Sequence, residues 1–183
     1  MKLSPLVVLA VAAIPSAAAA SVLTVGGRYA YSCYEAAEAS NATARTLDVC
    51  DRALSEEALT AQDRAATYVN RGILRLRRAN LAQADADFDA ALKLNPQEPE
   101  AWLNKAILNA RYGKSVEAMP YVTKALENGT RRPAIAYFVR AMANEDSGKI
   151  AAAYQDLQRA RQLDPKWTEP AIELRRFKVA SAR

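Results

Sequence analysis

The chain has 183 residues, a formal net charge of +5, two cysteines and no histidine. With no imidazole there is no Ser-His-Asp triad, no Cys-His dyad and no histidine metal centre, and two cysteines are too few for a four-thiolate zinc site. About 40 alanines against 7% aromatics, with few β-branched runs, point to closely packed helices, and the six glycines form neither a dinucleotide fingerprint nor a phosphate loop.

Residues 1–20 read as a secretory signal. Lys2 supplies the positive start, and the apolar run from Leu6 to Ile14 is too short to span a bilayer. Pro15 and Ser16 break that run, and Ala18 to Ala20 offer an Ala-x-Ala site with cleavage before Ser21. The expected location is therefore outside the cytoplasm: the periplasm, with full secretion as the alternative. About 163 residues then remain, which suits one folded domain. Residues 21–29, with Gly26-Gly27, are expected to form a flexible or extended arm.

Residues 30–63 read as a degenerate helical pair followed by a linker. The polar break Ser40-Asn41-Ala42-Thr43 lies midway between Cys33 and Cys50. Folding the chain back there brings the two cysteines level, so a structural disulfide is expected in an oxidising compartment. A redox pair, which usually has Cys-x-x-Cys spacing, and two buried free thiols are the alternatives.

From residue 64 the chain is periodic. Tyr68, Trp102 and Tyr137 recur at intervals of 34 and 35 residues, as do Ala84, Ala118 and Ala153, then Phe88, Val122 and Leu157, then Ala91, Ala125 and Ala160. The extra residue falls in the turn Asn128-Gly129-Thr130-Arg131-Arg132-Pro133. Helices are expected at roughly 65–79, 82–94, 100–112, 115–127, 134–147 and 150–163, with Gly113 and Gly148 in the turns and Pro96 and Pro165 as stops. Gly72, Ala106 and Ala141 set small residues against Ala84, Ala118 and Ala153, which lets paired helices approach closely.

This pattern resembles the tetratricopeptide repeat, a 34-residue helix-turn-helix unit. The first unit carries Tyr68-x-x-Arg71-Gly72, Ala84-x-x-x-Phe88-x-x-Ala91 and Asn95-Pro96, and the others follow it. Arg71, Lys105 and Arg140 stand where the family prefers Leu, and Arg75, Asn109 and Asn144 where it prefers Tyr. The resemblance implies an all-α solenoid of about three units, 64–98, 99–132 and 133–166. The helical pair would lie before them and a capping helix over 167–183 after them. In that cap Pro170 sits near the first position, and Ile172, Phe177 and Ala180 would pack on the last unit.

The resemblance further implies a concave groove, lined by the first helix of each unit, that binds a partner peptide. Val69 and Ile73, with their equivalents Leu103 and Ile107, form an apolar double stripe. That stripe either packs between units or floors the groove. Asn70 and Asn104 each share a helix face with an arginine two turns on, Arg77 and Arg111. An Asn amide can hold a peptide backbone as donor and acceptor, and an Arg can grip a carboxylate. The third unit breaks this pattern with Val139 and Asp146.

The charge pattern places an acidic 30–63 before a basic run, Arg64, Arg71, Arg75, Arg77 and Arg78, which Asp85, Asp87 and Asp89 answer. Pairing within one unit is the expected outcome. Arg175, Arg176, Lys178 and Arg183 give the alternative reading, an envelope adaptor that touches anionic polymer or a membrane surface. The expected function is a protein–protein interaction module, not an enzyme. No catalytic residues, metal, cofactor, nucleic acid or small-molecule substrate are expected.

Overall fold

The computed structural model describes residues 21–24 and 26–177. The signal-like segment 1–20, and Lys178, Ala180 and Arg183 of the cap, lie outside these residues. All regular structure among the described residues is helical. The helices are α1 (Arg28–Glu38), α2 (Ala44–Glu56), α3 (Ala61–Arg77), α4 (Leu81–Leu94), α5 (Pro99–Arg111), α6 (Met119–Glu127), α7 (Pro133–Asp146), α8 (Ile150–Leu163) and α9 (Glu169–Leu174). Each packs on its neighbours in sequence, and α1, α3, α5 and α7 also touch one another in succession.

Local chemistry sets the helix starts. Thr43 and Thr46 form a reciprocal capping box at the head of α2. The Thr60 side chain accepts the Asp63 N–H and starts α3 at Ala61, four residues before the periodicity alone suggests. Pro99 and Pro133 sit in the first turns of α5 and α7, where a missing N–H costs nothing. Pro120 likewise lies in the first turn of α6, so that helix begins at Met119 rather than at 115. A helix running through from 115 would drive the Pro120 ring into the carbonyl of Val116.

The ends of α1, α3, α5, α6 and α7 share one solution. Gly113, Gly129 and Gly148 have positive φ, and the residue after each donates its N–H back to the helix. Ala79 and Ser40 do the same with φ of 59° despite carrying a side chain. Ala79 stands one period before Gly113, so the turn survives where its usual glycine is absent.

The core is one cluster that takes in Cys33, Ala65, Val69, Ile73, Phe88, Leu103, Ile107, Val122, Phe138 and Leu157. Cys33 and Cys50 are joined in a disulfide that ties α1 to α2, with Cα atoms 4.9 Å apart. The close approach of paired helices is sharpest at Gly72, where an added Cβ would lie 2.5 Å from Phe88 Cε1. The small partner expected opposite Gly72 is thus a large one. Phe88 is fully buried and takes the room that the missing side chain leaves. Where Ala replaces Gly one and two periods later, at 106 and 141, the Phe88 position becomes Val122 and Leu157.

Gly72→Ala is therefore expected to cost about 1–3 kcal/mol by overpacking. Its cost should largely vanish in a Phe88→Val background, as a double-mutant cycle in urea would read. Equal costs in both backgrounds would show that the aromatic ring is not what excludes the methyl group.

The cap is shorter than expected. Pro170 does lie in the first turn of α9, but the helix ends at Leu174. Trp167, Leu174 and Phe177 pack against the core, with Trp167 4.9 Å from Phe138 and Phe177 5.9 Å from Tyr154, ring to ring. Ile172 instead faces solvent, 52% exposed. The contact with the core is thus made by Leu174 at the end of α9 and by Trp167 and Phe177, which flank the helix. Among the described residues no helix is long and apolar enough to cross a membrane.

Candidate functional site

The most specific polar contacts outside the ion networks converge on residues 21–24. This segment has no regular secondary structure and is not free: Ser21 and Thr24 are buried, and Val22 packs on the core. Leu23 is the outward-facing residue among the four, 50% exposed. Residues 21–24 of the expected arm are thus held against the body, and from Arg28 onward the chain is helix.

Asn70 holds it. The Val22 N–H donates to Asn70 Oδ1 at 2.8 Å, and Asn70 Nδ2 donates to the Val22 carbonyl at 2.7 Å. One side-chain amide thus serves both backbone groups of one residue, as an adjacent strand would. Asn70 is itself fully buried in α3. The side chain has no water to fall back on, so this pairing is the alternative to an unsatisfied amide. Asn104, one period on and equally buried, donates from Nδ2 to the Glu100 carbonyl one turn back, at 2.8 Å.

Two further groups fix Ser21. Its hydroxyl donates to Glu38 at the end of α1, and its carbonyl accepts from Arg131 Nη2. Arg131 is set in place by Glu100, a buried carboxylate on α5. Glu100 Oε1 accepts the Arg131 N–H at 2.9 Å and Nε at 3.1 Å, while Oε2 accepts the Thr130 hydroxyl at 2.6 Å. The turn that carries the extra residue of the period is therefore the one that reaches the arm.

The arm leaves the body of the protein at a fixed point. Glu57, just past α2, accepts the N–H groups of Tyr29 and Ala30 at 2.7 and 3.0 Å, satisfying the first turn of α1. A Cβ at Gly27 would lie 2.2 Å from the Glu57 carboxylate, so a larger residue there would have to push that side chain aside.

Arginines gather beside the Ser21 end. Arg132 pairs with Glu38 at 3.6 Å. Arg77 and Arg111 are half-buried and form no hydrogen bond or ion pair among the described residues, and Arg77 Nε is fully buried. Burial first, then the charges of Arg111 and Arg132, hold the Arg77 guanidinium below its ordinary pKa, while Glu38 opposes them. Burial alone does the same to Arg111. With Glu38 as the carboxylate that opposes them, Arg77, Arg111 and Arg132 leave an excess of positive charge in a partly desolvated site, which suits an anion.

The eight residues expected to line a groove thus divide by role. Val69, Ile73, Leu103 and Ile107 are core, at most 1% exposed, and form no open apolar floor. Asn70 faces the arm, Asn104 is buried at the equivalent place, and Arg77 and Arg111 are two half-buried arginines without a hydrogen bond or ion pair among the described residues. Sequence reasoning missed Ser21, Glu38, Glu100 and Arg131. The signal for two of them was the broken period at 128–133, which marks the turn carrying Arg131 against Glu100. A scan of known protein-family models finds no match for this chain, and a search of curated proteins finds none either.

Proposed function

We propose that the chain is an exported tetratricopeptide-like solenoid that works as a protein–protein interaction module, docking an extended peptide of a partner on the face built by α3 and α5. The observation that carries this reading is the two-way hydrogen bond between the Asn70 amide and the Val22 backbone. That geometry is sequence-tolerant, because every residue except proline offers the same N–H and C=O pair. Arg77 and Arg111 add selectivity for a peptide that carries a carboxylate. Export fits the disulfide, which cytosolic thiols would reduce. The rival reading, adhesion to an anionic surface through the basic end, has less support: Arg176 is already paired with Glu145 at 2.6 Å and with Glu173.

A membrane-spotted array of short synthetic peptides, probed with the labelled protein, tests the proposal. Acidic extended peptides are retained above neutral ones. The Arg77→Glu/Arg111→Glu variant loses that preference. Asn70→Ala lowers retention across all sequences by roughly tenfold to a hundredfold, the worth of two net hydrogen bonds at a buried site. Retention that neither variant changes would overturn the reading.

A further inference from the structure

The face assigned to a partner is already covered by the chain's own segment. We propose that Ser21–Thr24 is a resident ligand of this face, and that an extended partner segment bearing a carboxylate must displace it to bind. The proposal rests on the peptide-docking reading above and adds to it a competitor and a reason why the competitor yields.

Occupancy comes first. The Val22 backbone uses the Asn70 carbonyl and one amide proton. A partner read by the same side chain needs the same two positions, so the two cannot bind together. The tether is short. Glu57 pins the start of α1, and only a few residues separate it from Val22. Ends held this close act at an effective concentration of the order of millimolar, so even weak contacts keep the segment seated.

The fit is also incomplete, which makes displacement feasible. The Thr24 hydroxyl is buried with no hydrogen-bond partner among the described residues, a standing cost of the seated state. Ser21, Val22, Leu23 and Thr24 carry no acid. The seated segment therefore adds no negative charge beside Arg77 and Arg111, and among the described residues Glu38 is the carboxylate that acts on Arg77. An acidic partner supplies the charge that the resident segment lacks, and releasing Thr24 returns its hydroxyl to water.

The test uses the protein as isolated from an exporting host, its N-terminus read by mass spectrometry. The probe is a fluorescein-labelled peptide, Asp-Asp-Ser-Val-Leu-Thr-Val-Gly, which repeats the segment with two acids before it. Binding is followed by fluorescence anisotropy. Val22→Pro keeps extended backbone but removes the N–H that Asn70 accepts. It is expected to bind the probe roughly tenfold or more tightly than the parent, because losing the competitor raises the open fraction. Asn70→Ala should weaken binding in both backgrounds.

Equal binding by parent and Val22→Pro, with Asn70→Ala still weakening both, would overturn the resident-ligand proposal and leave the docking reading standing. Binding that Asn70→Ala does not touch, or no binding to any form, would overturn both. Amide exchange gives a check that needs no variant. The Val22 amide should exchange slowly in the free protein and faster once the probe is added. Exchange in the free protein as fast as in an unstructured chain would also overturn the proposal.

Discussion

Asp87→Ala is expected to lower the free energy of unfolding by about 3 kcal/mol or more, in the range for removing one partner of a buried ion group. The Asp87 side chain is 3% exposed. Its oxygens accept Arg71 Nη2 at 2.7 Å, Arg71 Nε at 3.1 and 3.2 Å, and Arg75 Nη1 at 2.8 Å. The two guanidinium side chains are only 15% and 18% exposed. Without Asp87, Arg71 keeps Asp51 at 2.7 Å, but the best remaining carboxylate for Arg75 is Asp51 at 3.8 Å.

The direction of the titration shifts says where the cost arises. Against its own burial, hydrogen bonds to Asp87 and Asp51 hold Arg71 above its ordinary value. Burial pushes the Asp87 carboxyl above its ordinary value, against the pull of Arg71 and Arg75. The ionised carboxylate is thus tolerated more than favoured, and the loss on mutation comes from donors left without an acceptor. Asp87→Asn, which keeps an acceptor of the same size, should lose clearly less. Urea titration followed by far-ultraviolet circular dichroism decides it. A loss below about 1 kcal/mol for Asp87→Ala would mean that Arg75 reaches water freely.

These ion groups show what the sequence could and could not tell. Alternating basic and acidic stretches announced pairing, but the choice of partner depends on a residue that carries no charge. Arg71 and Arg140 both reach an Asp sixteen positions on, Asp87 and Asp156, at 2.7 and 2.6 Å. Lys105 has Tyr121 at that place. It turns back to α4 instead and pairs with Asp85 and Asp89 at 2.7 and 2.6 Å, its ammonium 5.5 Å from the Tyr121 ring. The positions where the resembled family prefers Leu are therefore filled three times by a cation with a found acceptor. Helix order and most turns were legible because they follow local chemistry and the 34-residue period. The start of α6 was not, because Pro120 overrides a periodicity that pays no heed to the missing N–H.

The candidate site was legible at one residue of each kind. Asn70 was singled out for holding a backbone, and it holds one; that the backbone belongs to the same chain was invisible, since it joins positions 48 apart in sequence. Spacing placed Asn104 as its equal, and Asn104 is equally buried and also donates to the Glu100 carbonyl of its own helix. Repeat equivalence fixes where a side chain starts, not which neighbour it meets. For the apolar stripe the sequence left packing between units and a groove floor both open, for a related reason. Period alone puts Val69, Ile73, Leu103 and Ile107 on one face, and only the packing of α1, α3 and α5 decides whether that face is covered. Glu38 and Arg131 were out of reach because each acts on Ser21 from a different part of the chain.

The staple between α1 and α2 gives the second large effect. Cys33 and Cys50 are 17 residues apart, and a closed loop of that size is worth about 3 kcal/mol in the chain-entropy account. Reduction, or a Cys33→Ser/Cys50→Ser double variant, should lower the thermal midpoint by several degrees. The same change should loosen the site. α1 supplies Glu38, which accepts from Ser21, and its first turn hangs on Glu57 at the end of α2. With the staple open, α1 can separate from α2 and carry the root of the arm with it. The Val22 amide should then exchange faster, and by a larger factor than amides in α7 and α8, which the staple does not touch. A uniform acceleration over the whole chain would show that the disulfide acts on global stability alone. A midpoint indifferent to reductant in the folded, oxidised protein would show that α1 and α2 hold together by their apolar contacts without it.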